Sequence, residues 1–116
     1  MGTDSSPADS SPGQTLEVVR RAGERFYELL VDGRFGGLVV YEAAGRRYVL
    51  THTFIAEGYR GRGLSQVLLR GVLDDLKARH VTVTNFCPVV DRFIDANPEY
   101  LPLIDPIHPG KWAKRP

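Results

Sequence analysis

The sequence lacks several features that mark large classes of proteins. Among its 116 residues there is one cysteine, Cys87, so the chain cannot form an internal disulfide and is not a disulfide-stapled secreted scaffold. No apolar run approaches the roughly 20 residues that span a bilayer, and the first residues show neither the basic nor the apolar region of a secretory signal. We therefore expect a cytoplasmic protein with no membrane partner.

An excess of charge of one sign is also missing. Lys and Arg number 15 against 14 Asp and Glu, which gives a net charge of +1. General nucleic-acid binders usually carry a strong basic excess, so we expect no nucleic-acid partner. Asp, Glu and His do not recur at the spacing of metal ligands, so no metal is predicted. The remaining composition, 42% hydrophobic and 25% charged, is that of an ordinary globular domain.

Composition divides the chain into three parts. Residues 1–15 have almost no apolar side chains and are predicted to be a disordered leader, because such a stretch buries too little surface to offset its ordering entropy. Residues 16–104 are predicted to form the single ordered domain. Residues 105–116 contain three prolines and lack periodicity, so they are predicted to be an extended tail from which Trp112 docks on the domain.

Hydrophobic periodicity predicts four strands, a long helix, a fifth strand and a short helix. A strand that follows a helical crossover lies parallel to the strand before it, so the fifth strand is expected to lie parallel to the fourth. The predicted class is therefore α/β, with a mixed, mostly antiparallel sheet in the order ββββαβα. The predicted elements are strands 16–23, 24–31, 37–42 and 46–55, helix 64–79, strand 81–86 and helix 89–96.

The most informative segment lies between the fourth strand and the long helix. Residues 59–65 read YRGRGLS and run directly into a helix N-terminus, where backbone N–H groups are free and the helix dipole is positive. Two glycines permit close backbone approach, and Arg60 and Arg62 add positive charge. This combination suits a phosphate or pyrophosphate group. The alternative is a basic, glycine-rich turn that only caps the helix.

Arg60, Gly63 and Ser65 form the pattern Arg-x-x-Gly-x-small, which resembles the coenzyme A pyrophosphate loop of GNAT-superfamily acyltransferases. Ser65 stands where glycine or alanine is usual. Three further pieces occur in the order found in short, stand-alone GNAT-like proteins of the YjdJ type. They are His52-Thr53, Cys87-Pro88 and Asn97-Pro98-Glu99-Tyr100. The resemblance covers about residues 24–104.

The resemblance implies a truncated GNAT fold that binds acetyl-CoA. The fourth and fifth strands would splay apart, and pantetheine would lie between them along Thr53, Phe54 and Ile55. The pyrophosphate would lie on the loop and the helix N-terminus, at Arg60, Gly61, Arg62, Gly63, Leu64 and Ser65. Only a few residues separate the first two strands, where GNAT domains usually have helices that wall the acceptor side. An open acceptor side is therefore predicted, which favours a protruding amine such as a peptide or protein lysine.

Three residues are candidates for the chemistry. His52 could accept a proton directly or through water, since its ordinary pKa is near neutral, or it could be a packed strand residue. Cys87 could be a nucleophile activated by His52, could line the thioester channel, or could be a buried core residue. Tyr100 is a candidate general acid for the departing sulfur, with packing as the alternative. Several related proteins carry Glu two residues after the His, and here that position is Phe54.

The leading prediction is an acetyl-CoA-dependent N-acetyltransferase in which a neutral amine attacks the thioester directly. The alternative is a CoA-binding module, a sensor or adaptor with little catalysis, and the absence of an acid at Phe54 favours it. A weaker alternative is binding of RNA or a phosphorylated partner through Arg60 and Arg62, against which the net charge of +1 argues.

Overall fold

The structure is a computed structural model, and it describes residues 14–111. Over these residues the predicted order ββββαβα is confirmed, with short 3-10 turns at Ala22–Glu24, Glu57–Tyr59 and Pro98–Leu103. Most of the predicted leader, and Trp112, lie outside the described residues. The elements are β1 Leu16–Arg21, β2 Phe26–Val31, β3 Arg34–Ala44, β4 Arg47–Ile55, α1 Leu64–Ala78, β5 Thr82–Asn85 and α2 Pro88–Ala96.

The five strands form one sheet in the order β1-β2-β3-β4-β5. The first four are an antiparallel meander, and β5 lies parallel to β4, as expected after the helical crossover of α1. A bulge interrupts the β3–β4 pairing: Val40 lies opposite His52 and Tyr41 opposite Leu50, so Thr51 has no partner position on β3. Bulges change which face of the sheet the following side chains occupy.

The core lies on the face of the sheet that α1 covers. Alternate residues of β2, Tyr27, Leu29 and Val31, are almost fully buried there. The helix presents one apolar stripe, since residues spaced three and four apart share a face. Burial of each such side chain contributes roughly 1.5–3 kcal/mol. The buried residues of α1 are Leu64, Leu68, Leu69, Val72, Leu73 and Leu76.

The opposite face of the sheet is not covered by a helix of the described part of the chain. Helix α2 packs beside α1 and the turn Pro98–Leu103, on the core side. Leu30, Leu38 and Val40 on the opposite face are only half-buried. The connection between β1 and β2 holds a single 3-10 turn, Ala22–Glu24. The open face follows from that short connection.

Residues 104–111 run along the outer edge of β5. The backbone N–H of Asp105 donates to the Val83 carbonyl at 2.8 Å, and the N–H of Lys111 donates to the Asn85 carbonyl at 3.0 Å. Gly110 has φ 98°, and a side chain there would overlap the Asn85 backbone. The described part of the predicted tail therefore caps the sheet edge, whose backbone groups would otherwise be unpaired.

Candidate functional site

β4 and β5 separate after four paired residues. Their pairing ends at Leu50 opposite Asn85, and the Phe86 N–H makes a last hydrogen bond of 2.9 Å to the Leu50 carbonyl. Beyond this point β4 continues to Ile55, whereas the segment that follows β5 enters α2 at Pro88. The backbone edge of residues 51–55 that faces away from β3 is therefore not paired with β5.

Cys87 and Thr53 meet across the start of this gap. The Cys87 Sγ lies 3.3 Å from the Thr53 Oγ1, and Cys87 is 2% exposed. Buried Asn85 positions the cysteine, because its side-chain oxygen accepts a 2.9 Å hydrogen bond from the Cys87 N–H. Sequence reasoning assigned Asn85 no role. An Asn that bonds the backbone two residues ahead is a local turn signal that could have identified it.

His52 and Phe54 lie on the open face of β4. His52 is exposed and lies opposite Val40, and neighbouring strand residues point to opposite faces, so Thr53 rather than His52 faces Cys87. Phe54 stacks on Phe35, with ring centroids 6.2 Å apart, and is 37% exposed. This pair forms an aromatic surface beside the gap.

In the loop before α1, the backbone at Gly61 and Gly63 is not covered by side chains. Gly61 and Gly63 have φ of 79° and 74°, and a side chain at either position would point into open space. Gly63 is the N-cap of α1, and no side chain caps the helix. Such an N-terminus has free N–H donors and a positive dipole end, which together suit an anionic group.

Arg60 and Arg62 are held against the loop that carries them. The Arg60 Nε donates to the Ile55 carbonyl at 2.9 Å, and its guanidinium lies 5.6 Å from the Phe54 ring centroid. The Arg62 guanidinium lies 5.6 Å from the Tyr59 ring centroid. Buried Leu64 anchors the first turn of α1, and Ser65 next to it is half-buried. The loop therefore presents two cations next to the bare glycines.

The Tyr100 hydroxyl is engaged with α1 rather than with the Thr53–Cys87 pair. It donates to the Asp74 Oδ1 at 2.6 Å and accepts from the Arg70 Nη1 at 3.3 Å. Burial, followed by the bond to Asp74, raises the pKa of the hydroxyl. This network fastens the turn Pro98–Leu103 to α1, and the general-acid role of Tyr100 stays a prediction.

Within residues 14–111, no group of three or more His, Cys, Asp or Glu side chains is placed to hold a metal ion. Across the same residues, no helix has the length and apolarity needed to cross a membrane.

The chain matches a family model described as GCN5-related N-acetyl-transferase over residues 26–103. It is 33% identical to Protein NATD1 of Bos taurus over 115 residues, which cover 87% of this chain and 97% of that protein. It is 36% identical to Protein NATD1 of Homo sapiens over 77 residues, 60% of this chain and 64% of that protein.

Two solved structures are similar to parts of the chain. The ribosomal-protein-S18-alanine N-acetyltransferase from Escherichia coli aligns with a TM-score of 0.49 and 23% identity, over 54% of this chain and 43% of that one. Nourseothricin acetyltransferase aligns with a TM-score of 0.43 and 16% identity, over 75% of this chain and 67% of that one. The family match carries the assignment. This match extends from β2 to the last 3-10 turn, and it shows that the chain belongs to the GCN5-related N-acetyltransferase (GNAT) family.

Proposed function

We propose that this chain binds acetyl-CoA and transfers the acetyl group to an amine. The observation that carries the proposal is the gap between β4 and β5, which begins at the Thr53–Cys87 contact and lies beside an uncapped helix N-terminus. Acetyl-CoA needs both features together, because its extended pantetheine arm requires a gap and the pyrophosphate at the end of that arm requires an anion site.

The pyrophosphate is proposed to lie on the loop before α1. Its oxygens would accept hydrogen bonds from the backbone N–H groups at Gly61, Gly63 and the first helical residues, where nothing occupies the space that a side chain would fill. Arg60 and Arg62, whose guanidinium groups lie near the Phe54 and Tyr59 rings, would offer further N–H groups to it. These residues fit the cofactor, because open glycine positions, an N-terminus without a side-chain cap and two guanidinium groups lie together in one short loop.

The pantetheine arm is proposed to follow the unpaired edge of β4 at Thr53, Phe54 and Ile55. Bound acetyl-CoA supplies an acetyl thioester. In the transfer, the acceptor nitrogen would form a bond to the acetyl carbon as the bond from that carbon to sulfur breaks, and one amine proton would pass to the released thiolate. Thr53 and Cys87 narrow the start of the gap, since their side chains are in contact at 3.3 Å and Cys87 is buried. Phe54 supplies a wall on the open face.

The acceptor is proposed to approach from the open face of the sheet. His52 lies on that face and is exposed, and it is proposed to remove a proton from the amine directly or through water. Phe54 cannot act as a base, so the amine must arrive neutral or lose its proton to His52. The absence of a covering helix in the described residues leaves room for a protruding amine such as a lysine side chain.

Titration calorimetry with acetyl-CoA tests the cofactor. The native chain is expected to bind, and Arg60→Ala/Arg62→Ala is expected to weaken binding by about tenfold or more, as loss of charge-assisted hydrogen bonds implies. Arg46→Ala/Arg92→Ala removes the same charge away from the loop and is expected to bind like the native chain. Absence of binding by the native chain overturns the proposal.

A CoA-binding module with little catalysis is the second candidate, and Phe54 at the position of the usual acid favours it. Release of free CoA in the presence of a panel of lysine peptides separates the two candidates. Turnover above the rate without peptide supports the enzyme. Tight binding without any turnover supports the sensor or adaptor.

A further inference from the structure

A cleft of about 420 Å³ opens between the β4–β5 pair and the segment 104–111. We call it the Arg47 cleft. Its volume is within the range of small-molecule sites, roughly 300–1,000 Å³. Its lining residues are Arg47, Thr84, Phe86, His108, Gly110 and Lys111.

The Arg47 cleft lies on the same open face as His52. Leu50 and Val83 point into the core, so the alternate residues Arg47 and Thr84 point to the other face. The Arg47 Nη1 donates to the Thr84 Oγ1 at 3.0 Å, which fixes the guanidinium at the floor of the cleft. Phe86, 47% exposed, stands where the two strands separate.

The exposed surface of the cleft is mainly apolar, and its charged groups belong to basic residues, so the lining favours an anionic group on an aliphatic chain. Among the described residues that line the cleft, Arg47, His108 and Lys111 are basic and none is acidic. Within the described part of the chain Arg47 forms no ion pair, and it uses one of its five N–H donors on Thr84. A guanidinium with free parallel N–H groups matches a carboxylate in geometry and charge.

Asp105, a carboxylate on the 104–111 segment itself, does not fill this role. Asp105 accepts hydrogen bonds from the Thr82 hydroxyl at 2.6 Å and from the backbone N–H groups of Ile107 and His108 at 2.9 and 2.8 Å. Its oxygens are therefore engaged at the edge of the sheet, and Asp105 is absent from the lining of the cleft.

We infer, resting on the proposed function, that the Arg47 cleft holds a carboxylate of the acceptor, so that the preferred acceptor is an amine that bears an anionic group. Phe86 joins the cleft to the gap because it directly precedes Cys87, and its exposed ring would pack against the aliphatic part of the acceptor. A carboxylate on Arg47 would then direct the amine along Phe86 toward the gap.

Two matched pairs of acceptors test this inference by release of free CoA. One pair is ε-aminocaproate and its neutral amide; the other is acetyl-Glu-Lys-Glu-amide and acetyl-Gln-Lys-Gln-amide. In at least one pair the anionic acceptor is expected to have a kcat/KM about tenfold or more above its neutral partner, the difference that one charge-assisted hydrogen bond supplies. A preference in the first pair identifies a small amino acid, and one in the second identifies an acidic peptide.

The same acceptors, tested with the Arg47→Gln variant, show whether the preference for the anionic acceptor depends on Arg47. This variant is expected to lose it, whereas Arg46→Gln, which removes a neighbouring charge that bonds the His80 carbonyl, is expected to keep it. Equal kcat/KM within both pairs, or a preference for the anionic acceptor that survives in Arg47→Gln, overturns the inference. The proposed function would still stand in that case if the native chain binds acetyl-CoA and turns over.

Amide NMR shifts give a readout that does not depend on turnover. Titration with ε-aminocaproate or with the glutamate peptide is expected to shift the backbone amides of Thr84, Phe86 and Lys111, and the shifts are expected to vanish in Arg47→Gln. Absence of these shifts with both anionic probes overturns the inference even in a chain that binds acetyl-CoA.

Discussion

The Thr53 hydroxyl oxygen lies 3.3 Å from the Cys87 sulfur, across the point where β4 and β5 separate. This contact joins a strand residue to the N-cap of α2 and so couples the two sides of the gap. A threonine hydroxyl is not a base at neutral pH, so Thr53 does not activate the Cys87 thiol as a nucleophile. The contact therefore favours a lining role for Cys87.

Replacement of Cys87 tests that role. Cys87→Ala is expected to retain turnover within about tenfold of the native chain, because direct attack by the amine needs no thiolate. Free-CoA release measures the rate, and intact mass after incubation with acetyl-CoA alone is expected to show no acetyl adduct. A folded Cys87→Ala chain without turnover, or an adduct on the native chain that this variant lacks, would contradict the prediction.

Gly63 combines a left-handed backbone with an open position at the N-cap of α1. Gly63→Ala is expected to lower the free energy of unfolding by about 1 kcal/mol, the cost of a left-handed conformation for a residue with a Cβ. It is also expected to weaken acetyl-CoA binding, because the new methyl group occupies space next to the free N–H groups. Urea denaturation and calorimetry measure the two effects.

Gly58 supplies the control for Gly63. It lies in the same loop with open space around it, but its φ is not in the left-handed region. Gly58→Ala is expected to leave both stability and affinity near native values. Native affinity in Gly63→Ala would show that the N-terminus of α1 does not hold the pyrophosphate.

Tyr100 is predicted to act in stability. Tyr100→Phe removes a hydroxyl that donates to Asp74 and accepts from Arg70. The free energy of unfolding is expected to fall by about 1–2 kcal/mol, since a charged partner loses its hydrogen bond, and the alkaline limb of the pH–rate profile is expected not to move. A large loss of turnover at native stability would instead support the general-acid role.

The sequence was sufficient to predict the strands, the crossover and the loop at residues 59–65, because each depends on local periodicity or on glycine and arginine at short spacing. The orientation of His52 could not be predicted. Simple alternation from buried Leu50 puts His52 on the core face, next to Cys87. The bulge at Thr51 reverses this alternation, so that His52 lies on the open face and Thr53 faces the thiol.

The edge of β5 was also beyond sequence reasoning. Residues 104–111 pair through backbone groups, and Pro106 and Pro109 interrupt any side-chain periodicity that would have marked a strand. The Arg47 cleft depends on this pairing, since two of its basic residues, His108 and Lys111, come from that segment. A site built across a non-periodic contact has no local signature.

Asp105 at this edge predicts a specific acid sensitivity. The Thr82 hydroxyl and then the backbone N–H groups of His108 and Ile107 lower the pKa of its carboxyl to about 2. A carboxyl with a depressed pKa in the folded state contributes stability above its unfolded pKa of about 3.9, and this contribution is lost as the pH falls toward the folded value. The free energy of unfolding is therefore expected to fall between about pH 4 and pH 2 in part because of Asp105.

Asp105→Asn removes the titrating group and is expected to flatten the dependence of stability on pH in that window, while it lowers stability near neutral pH. Urea denaturation of the native chain, Asp105→Asn and the exposed-site control Glu24→Gln, at neutral pH and at about pH 3, measures the difference. Glu24→Gln is expected to keep the native acid slope, because the exposed Glu24 side chain makes no hydrogen bond or ion pair within the described structure. An acid slope in Asp105→Asn as steep as that of the native chain would show that Asp105 does not account for the loss of stability between about pH 4 and pH 2.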